Sequence, residues 1–194
     1  MCPEDDLTVW LGRMNEGDPT ALDQVMHLLY DEMRTLARHR LRAERPDHTL
    51  AATALVNEIY LKLAAQRRIN AADRVHFMGV AAMTMRRVLV DYARTRTRAK
   101  RGSGAPHVPL DDVEPFLSLE ESEEILALDA AIERLTALDP RAAKVVVQRF
   151  YSGLSVEETA ELLSVSTKTV QREWVAARAW LRKEVAREMR PPVC

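Results

Sequence analysis

Apolar residues in this chain return every three or four positions along most of its length, a spacing that fits α-helix and little else. Leu22, Val25, Met26, Leu29, Met33 and Leu36 follow one another at such steps. Leu55, Ile59, Tyr60 and Leu63 do the same, and so do Phe77, Val80, Ala81, Val88 and Tyr92. No stretch alternates with the period of two that a half-buried strand requires; Val145 to Val147 lies inside a helical pattern. Six Gly and nine Pro among 194 residues leave long unbroken runs. Those runs are rich in Ala, Leu, Arg and Glu, which lose little side-chain freedom in a helix. The fold class expected is all-α.

Breaks in the periodicity set the organisation. Helices are expected from Asp6 to Met14 and from Pro19 to about Arg42, separated by a turn at NEGDP, Asn15 to Pro19. ERPDHT, Glu44 to Thr49, precedes a third helix, and a fourth is expected from about Arg74 to Arg98. The composition then changes to AKRGSGAPHVP, Ala99 to Pro109, which is linker chemistry. Two small helical domains are therefore expected, residues 1–100 and 121–194, joined by a flexible acidic linker over 101–120. The second opens with a helix around Glu121 to Leu138. Asp139 as N-cap and Pro140 as first helical residue start the next one.

The net charge of −1 conceals a strong alternation. Arg67, Arg68, Arg74, Arg86, Arg87, Arg94, Arg96, Arg98, Lys100 and Arg101 face only Asp73 and Asp91 in their stretch. Between Gly102 and Glu133 every charge is acidic. A basic block with so little local counter-charge can hold phosphates, although a solvated helix end would look the same. The acidic stretch is either a segment folded back on that block or a solvated spacer.

Other classes find little support. No apolar run approaches the roughly 20 residues of a membrane helix, and residues 1–6 lack the pattern of an export signal, so a cytoplasmic protein is expected. Cys2 and Cys194, at the two ends, imply neither a disulfide framework nor a metal site. Paired catalytic carboxylates, a nucleophile motif and a phosphate-binding glycine loop are all missing, and the five histidines are scattered, with His39 and His48 read as surface or cap residues. No enzyme activity, cofactor or metal is expected.

The segment SVEETAELLSVSTKTVQREWVAARAWLRKEV, Ser155 to Val185, carries the sharpest local signals. Ser155 and Glu158 form a capping box for a short helix with Val156, Ala160 and Leu163 on its apolar face. Ser164 to Ser166 make a tight turn, and Ser166 caps a longer helix that buries Val170, Trp174, Ala177 and Leu181. Lys168, Gln171, Arg172, Val175 and Arg178 are then forced outward, as in the recognition helix of a helix-turn-helix. Small Ala160 suits the close crossing of the two helices.

With these residues in view, the chain resembles bacterial sigma factors of the sigma-70 family, in the compact extracytoplasmic-function (ECF) group. The resemblance runs from about Leu7 to Val185. TALVNEIYLKL, Thr53 to Leu63, is similar to the helix that docks on the clamp of RNA polymerase. His76 to Gly102 resembles the helix and loop that melt and read the minus-ten element. Leu128 to Val185 resembles the module that binds the minus-thirty-five element.

The resemblance implies a subunit that binds RNA polymerase core through its clamp and flap regions and directs it to promoter DNA. Gln171, Arg172 and Val175 would face bases; Lys168, Thr169 and Arg178 would hold phosphates, with a helix-start hydrogen bond as the other reading of Thr169. Arg86, Arg87, Arg94, Arg96 and Arg98 would meet the minus-ten strand, while Phe77 and Tyr92 are assigned to the core. Leu55, Asn57, Glu58 and Tyr60 would touch polymerase.

Two departures from the family pattern stand out. Ala52, Thr53 and Ala54 occupy positions where relatives usually carry acids, so phosphorylation of Thr53, adding about −1.5 to −2 charge, would supply what polymerase binding lacks. Control by a Ser/Thr kinase or an anti-sigma factor follows as an expectation; the plainer reading is that Thr53 caps its helix. Arg87 stands where relatives often place an amide, and no promoter sequence is inferred. A stand-alone helix-turn-helix regulator and an all-helical scaffold are the alternatives.

Overall fold

A computed structural model describes residues 6–41, 48–66, 68–100 and 117–190, with side chains described outside 48–50 and 99–100. The linker core at 101–116, Arg67, Arg101 and both cysteines lie outside the described residues. Among the described residues there are eight helices and no strand: α1 (Leu7–Glu16), α2 (Ala21–Arg40), α3 (His48–Ala64), α4 (Arg74–Lys100), α5 (Leu119–Leu138), α6 (Pro140–Tyr151), α7 (Val156–Leu162) and α8 (Thr167–Glu188).

Local chemistry fixes most helix ends. The Asp6 carboxylate accepts from the Thr8 N–H, and α1 ends at Gly17, whose left-handed backbone (φ 92°) lets its N–H reach the Arg13 and Met14 carbonyls. The helix thus runs two residues past the expected Met14. Asn15 belongs to its last turn, and its amide has another task. Its Nδ2 donates to the Ala71 carbonyl at 2.9 Å and its Oδ1 accepts from the Ala71 N–H at 3.1 Å. The segment between α3 and α4 is pinned to α1 in this way.

In α5 the cap is Ser118, which forms a capping box with Glu121 and starts the helix at Leu119, inside the stretch expected to be linker. Asp139 closes α5 and opens α6. Its N–H donates to the Leu135 carbonyl at 2.7 Å, and its carboxylate accepts from the Arg141 and Ala142 N–H groups at 3.1 and 3.0 Å. Pro140, which has no N–H to satisfy, completes the corner.

The sequence leaves open how the two helix groups sit relative to each other; the structure seats them together. Phe77, Met78, Ala81, Ala82, Met85, Val88, Leu89, Val90 and Ala93 are all buried on α4. At 3.6 residues per turn these cover an arc of roughly 200°, about twice the stripe that a helix covered on one side needs. Helices α2 and α3 cannot cover that arc alone, and α5 and α6 pack over the remainder. One apolar cluster accordingly runs from Leu11, Val25, Met33 and Ile59 through α4 to Ile132, Val146, Tyr151 and Leu181.

Polar contacts cross the same seam. Arg74 binds Glu32 on α2 and reaches Glu158 on α7 at 2.7 Å, and the Arg40 guanidinium lies 4.2 Å from the centre of the Phe150 ring. The backbone N–H of Ser155 holds the Glu158 carboxyl below its usual value, against an opposing effect of burial, and Arg74 adds to the lowering. With its folded-state pKa depressed, Glu158 contributes stability that is present above its unfolded value of 4.5 and lost as pH falls through the lower folded one.

Gly153 has φ 68°, and a Cβ there would come within 2.5 Å of Leu36 Cδ2, whereas Gly17 has open space around the corresponding position. Gly17→Ala should cost only the left-handed backbone, about 1–2 kcal/mol. Gly153→Ala should cost about 1 kcal/mol more, because Leu36 must also move. Urea unfolding of both variants measures the difference.

Candidate nucleic-acid interface

The helix-turn-helix is built from three caps and a small core. Ser155 Oγ accepts from the Glu158 N–H at 3.0 Å while Glu158 Oε2 accepts from the Ser155 N–H at 2.7 Å, which starts α7. Ser164 takes a left-handed backbone (φ 52°), and the Val165 N–H donates back to the Ala160 carbonyl at 2.9 Å, turning the chain after two helical turns. Ser166 Oγ accepts from the Thr169 N–H at 3.1 Å and lies 2.9 Å from the Thr169 hydroxyl. Of the two readings of Thr169, the helix-start hydrogen bond is therefore present in this structure.

Val145, Ala160 and Val170 form a buried cluster under the turn, with Val156, Leu163, Val165 and Trp174 packed around it. Ala177 and Leu181 continue the inward stripe into the main core. Lys168, Gln171, Arg172, Val175 and Arg178 are exposed on the other side of α8. Val175 is apolar yet 68% exposed.

Sequence reasoning missed Glu173. It is buried, and Arg141 on α6 grips it with Nε at 2.7 Å and Nη2 at 2.6 Å from Oε1. The hydrogen bond from Arg141, followed by the charge of Glu173, raises the guanidinium pKa of Arg141. The signal was its spacing: Glu173 falls three residues after Val170 and four before Ala177, on the inward side.

The α4 arginines divide. Arg87, Arg94 and Arg98 are exposed and Arg96 is half-buried. Arg86 turns away from solvent toward α5, where its side chain lies 2.6 Å from Asp129 and is 15% exposed. Phe77 is fully buried and Tyr92 half-buried, as their helical spacing requires.

On α3, Leu55 is fully buried and belongs to the core, so in this conformation it is closed to a partner. Tyr60 is half-buried and its hydroxyl donates to Asp23 Oδ1 on α2 at 2.7 Å, which raises the phenol pKa. Asn57 is exposed and Glu58 half-buried. The outward apolar residue of this face is Leu61, 56% exposed, which stands outside the buried series Leu55, Ile59, Leu63. Thr53 is half-buried in the second turn of α3 and does not occupy its N-terminal cap, because the helix begins at His48. Among the described residues, no group of three or more His, Cys, Asp or Glu could hold a metal ion.

Fold and site define an all-helical protein carrying a helix-turn-helix beside a second basic helix. The profile of the family described as ECF sigma factor matches residues 4–187, and the chain belongs to that family. As a member it is a non-enzymatic initiation factor that binds RNA polymerase core and directs transcription from promoter DNA.

Among curated proteins, the chain is 28% identical over 166 residues to ECF RNA polymerase sigma factor SigM of Mycobacterium tuberculosis, covering 85% of this chain and 77% of the relative. It is 32% identical over 126 residues to RNA polymerase sigma-E factor of Streptomyces avermitilis, covering 64% of this chain and 68% of that protein. No solved structure matches. No helix among the described residues is long and apolar enough to cross a membrane.

The two sides of α8 should respond differently to truncation. Leu181→Ala is expected to lower unfolding stability by about 2–5 kcal/mol. Arg172→Ala and Val175→Ala should stay within about 0.5 kcal/mol of the unmodified chain in the same denaturant titration.

Proposed function

We propose that the outward face of α8 reads the minus-thirty-five element while the α4 arginines engage the minus-ten strand. The observation that carries this is the exposed row Gln171, Arg172 and Val175, held outward by a helix whose other side is packed into two cores. In the major groove, Gln suits adenine, Arg suits guanine and an apolar side chain suits the thymine methyl, while Lys168 and Arg178 hold phosphates. Arg87, Arg94, Arg96 and Arg98 supply the salt-dependent attraction for the unwound strand, joined by Arg86. In this reading residues 1–100 bind polymerase and the minus-ten element, 121–194 bind the minus-thirty-five element, and 101–120 tether them. The setting is the cytoplasm.

Promoter-directed transcription with purified core polymerase and genomic DNA tests the assignment, and an absence of discrete start sites with both the unmodified chain and Thr53→Glu would remove it. Arg172→Ala should relax discrimination at one base position, by about 1–3 kcal/mol. Arg178→Ala should weaken binding evenly across sequences and lower the salt slope by about 1. Footprinting and salt titration on a mapped promoter separate the two effects.

Control is assigned to α3. Residues 52–54 carry no charge, and phosphorylation of Thr53 by a Ser/Thr kinase would place about −1.5 to −2 there, which would strengthen binding if this end of α3 meets basic residues on polymerase. An anti-sigma factor covering the same helices is the other mode of control. Thr53→Glu should bind core polymerase more tightly than Thr53→Ala; equal affinities for these and the unmodified chain would end the kinase reading.

A further inference from the structure

Arg86 and Arg94, both assigned above to the minus-ten strand, already share an anion. Arg86 Nε donates to Asp129 Oδ1 at 2.8 Å, its Nη2 lies 2.6 Å from the same oxygen, and Nη2 also reaches the Asp129 carbonyl at 3.4 Å. Arg94 Nη2 stands 3.6 Å from Oδ2. Both carboxylate oxygens thus face guanidinium groups. The Asp129 side chain is only 9% exposed, so it is committed to this contact. Arginine meets a carboxylate and a phosphate through the same planar fork. Asp129 therefore occupies the place that a DNA phosphate would need.

The surroundings act in the same sense. Arg86, Arg87 and Arg94 line a cleft of about 300 Å³ together with Asp129, Glu133 and Asp91, so three carboxylates offset the three guanidinium groups that a strand would approach there. Two of them, Asp129 and Glu133, come from α5. A second contact between the helix groups, Arg74 with Glu158, lies at the other end of α4 and uses none of the proposed DNA contacts. The close fit of Gly153 against Leu36 and of Arg40 over Phe150 surrounds the seam.

We propose that Asp129 is an internal competitor for promoter DNA, closing α5–α8 over α4 and holding Arg86 and Arg94 until the two helix groups separate. The inference rests on the reading of α4 given above. Exchange of a carboxylate for a phosphate on the same arginines is locally near balance, so the closed packing supplies the difference. Apparent affinity for DNA then falls with the fraction of molecules that are open. Polymerase that binds the open arrangement raises DNA affinity, and DNA raises polymerase affinity by the same factor.

Asp129→Asn keeps the shape of the side chain and removes its charge. In the full chain without polymerase, it should bind a fluorescently labelled single-stranded DNA about five- to tenfold more tightly and show a larger radius of gyration by small-angle scattering. Glu133→Gln, the same charge change in the same cleft, should alter DNA affinity by less than about twofold and leave the radius unchanged. Arg74→Ala gives an independent check. Loss of a cation should weaken DNA binding on charge alone, whereas opening of the clasp strengthens it and expands the molecule.

Equal effects of Asp129→Asn and Glu133→Gln, or an unchanged radius in both Asp129→Asn and Arg74→Ala, would overturn the clasp. If Asp129→Asn expands the chain but neither it nor the unmodified protein binds the single strand, the promoter reading of α4 fails, and the shielding role of Asp129 fails with it. Circular dichroism establishes that each variant is folded.

Discussion

The burial of α4 is the constraint on which the remaining structure depends. Its apolar residues from Phe77 to Ala93 cover an arc too wide for a single layer of neighbours, so exposing any side of it would leave large hydrophobic area in water. Helix α3 takes one side, and α5 and α6 take another. Of the basic residues of α4, Arg87, Arg94 and Arg98 fall on the remaining arc, while Arg74 and Arg96 share the covered direction at the two ends of the apolar run. Arg86 lies on the margin facing α5, which is why it meets Asp129, whereas Arg87 and Arg98 remain open.

Interaction with that seam changes the chemistry of Tyr151. Its side chain is buried where α4, α2 and α6 converge, and burial pushes the phenol up to about 12, with Asp129 adding to the rise and Arg86 and Arg40 opposing it. The phenol is therefore neutral at ordinary pH and serves as core, while the nearby charges compensate one another. A seam of this kind combines apolar area with a few directional ion pairs. The apolar area and the ion pairs together hold the seam, and the directional pairs also fix its register.

In the C-terminal helices, position follows from local rules applied in sequence. Asp139 joins α5 to α6 at a defined angle; the Ser155 and Glu158 capping box starts α7; Ser166 starts α8. The packing of Val145, Ala160 and Val170 then sets the rotation of α8, and Arg141 with Glu173 holds it against α6. The outward row from Lys168 to Arg178 results from these contacts, since five polar or exposed side chains on one face have no alternative once the other face is buried.

The amino-acid sequence alone determined the helices, their caps and the outward face of α8, because each depends on spacing and hydrogen bonds within a few residues. Asp139, Ser155 and Ser166 are legible as caps, and Val170, Ala177 and Leu181 as core, without knowledge of any distant partner. Ser118 was legible in the same way, as a capping box with Glu121, although linker composition next to it drew the boundary elsewhere. Contacts across long separations were not legible. Asn15 with Ala71, Tyr60 with Asp23, Arg141 with Glu173, and Arg86 with Asp129 join residues on different helices. A charged or polar side chain in a helix looks alike in sequence whether it faces water or a partner 43 residues away, as Arg86 does. Only the tertiary packing, by deciding which sides of α4 are covered, separated Arg86 from Arg87.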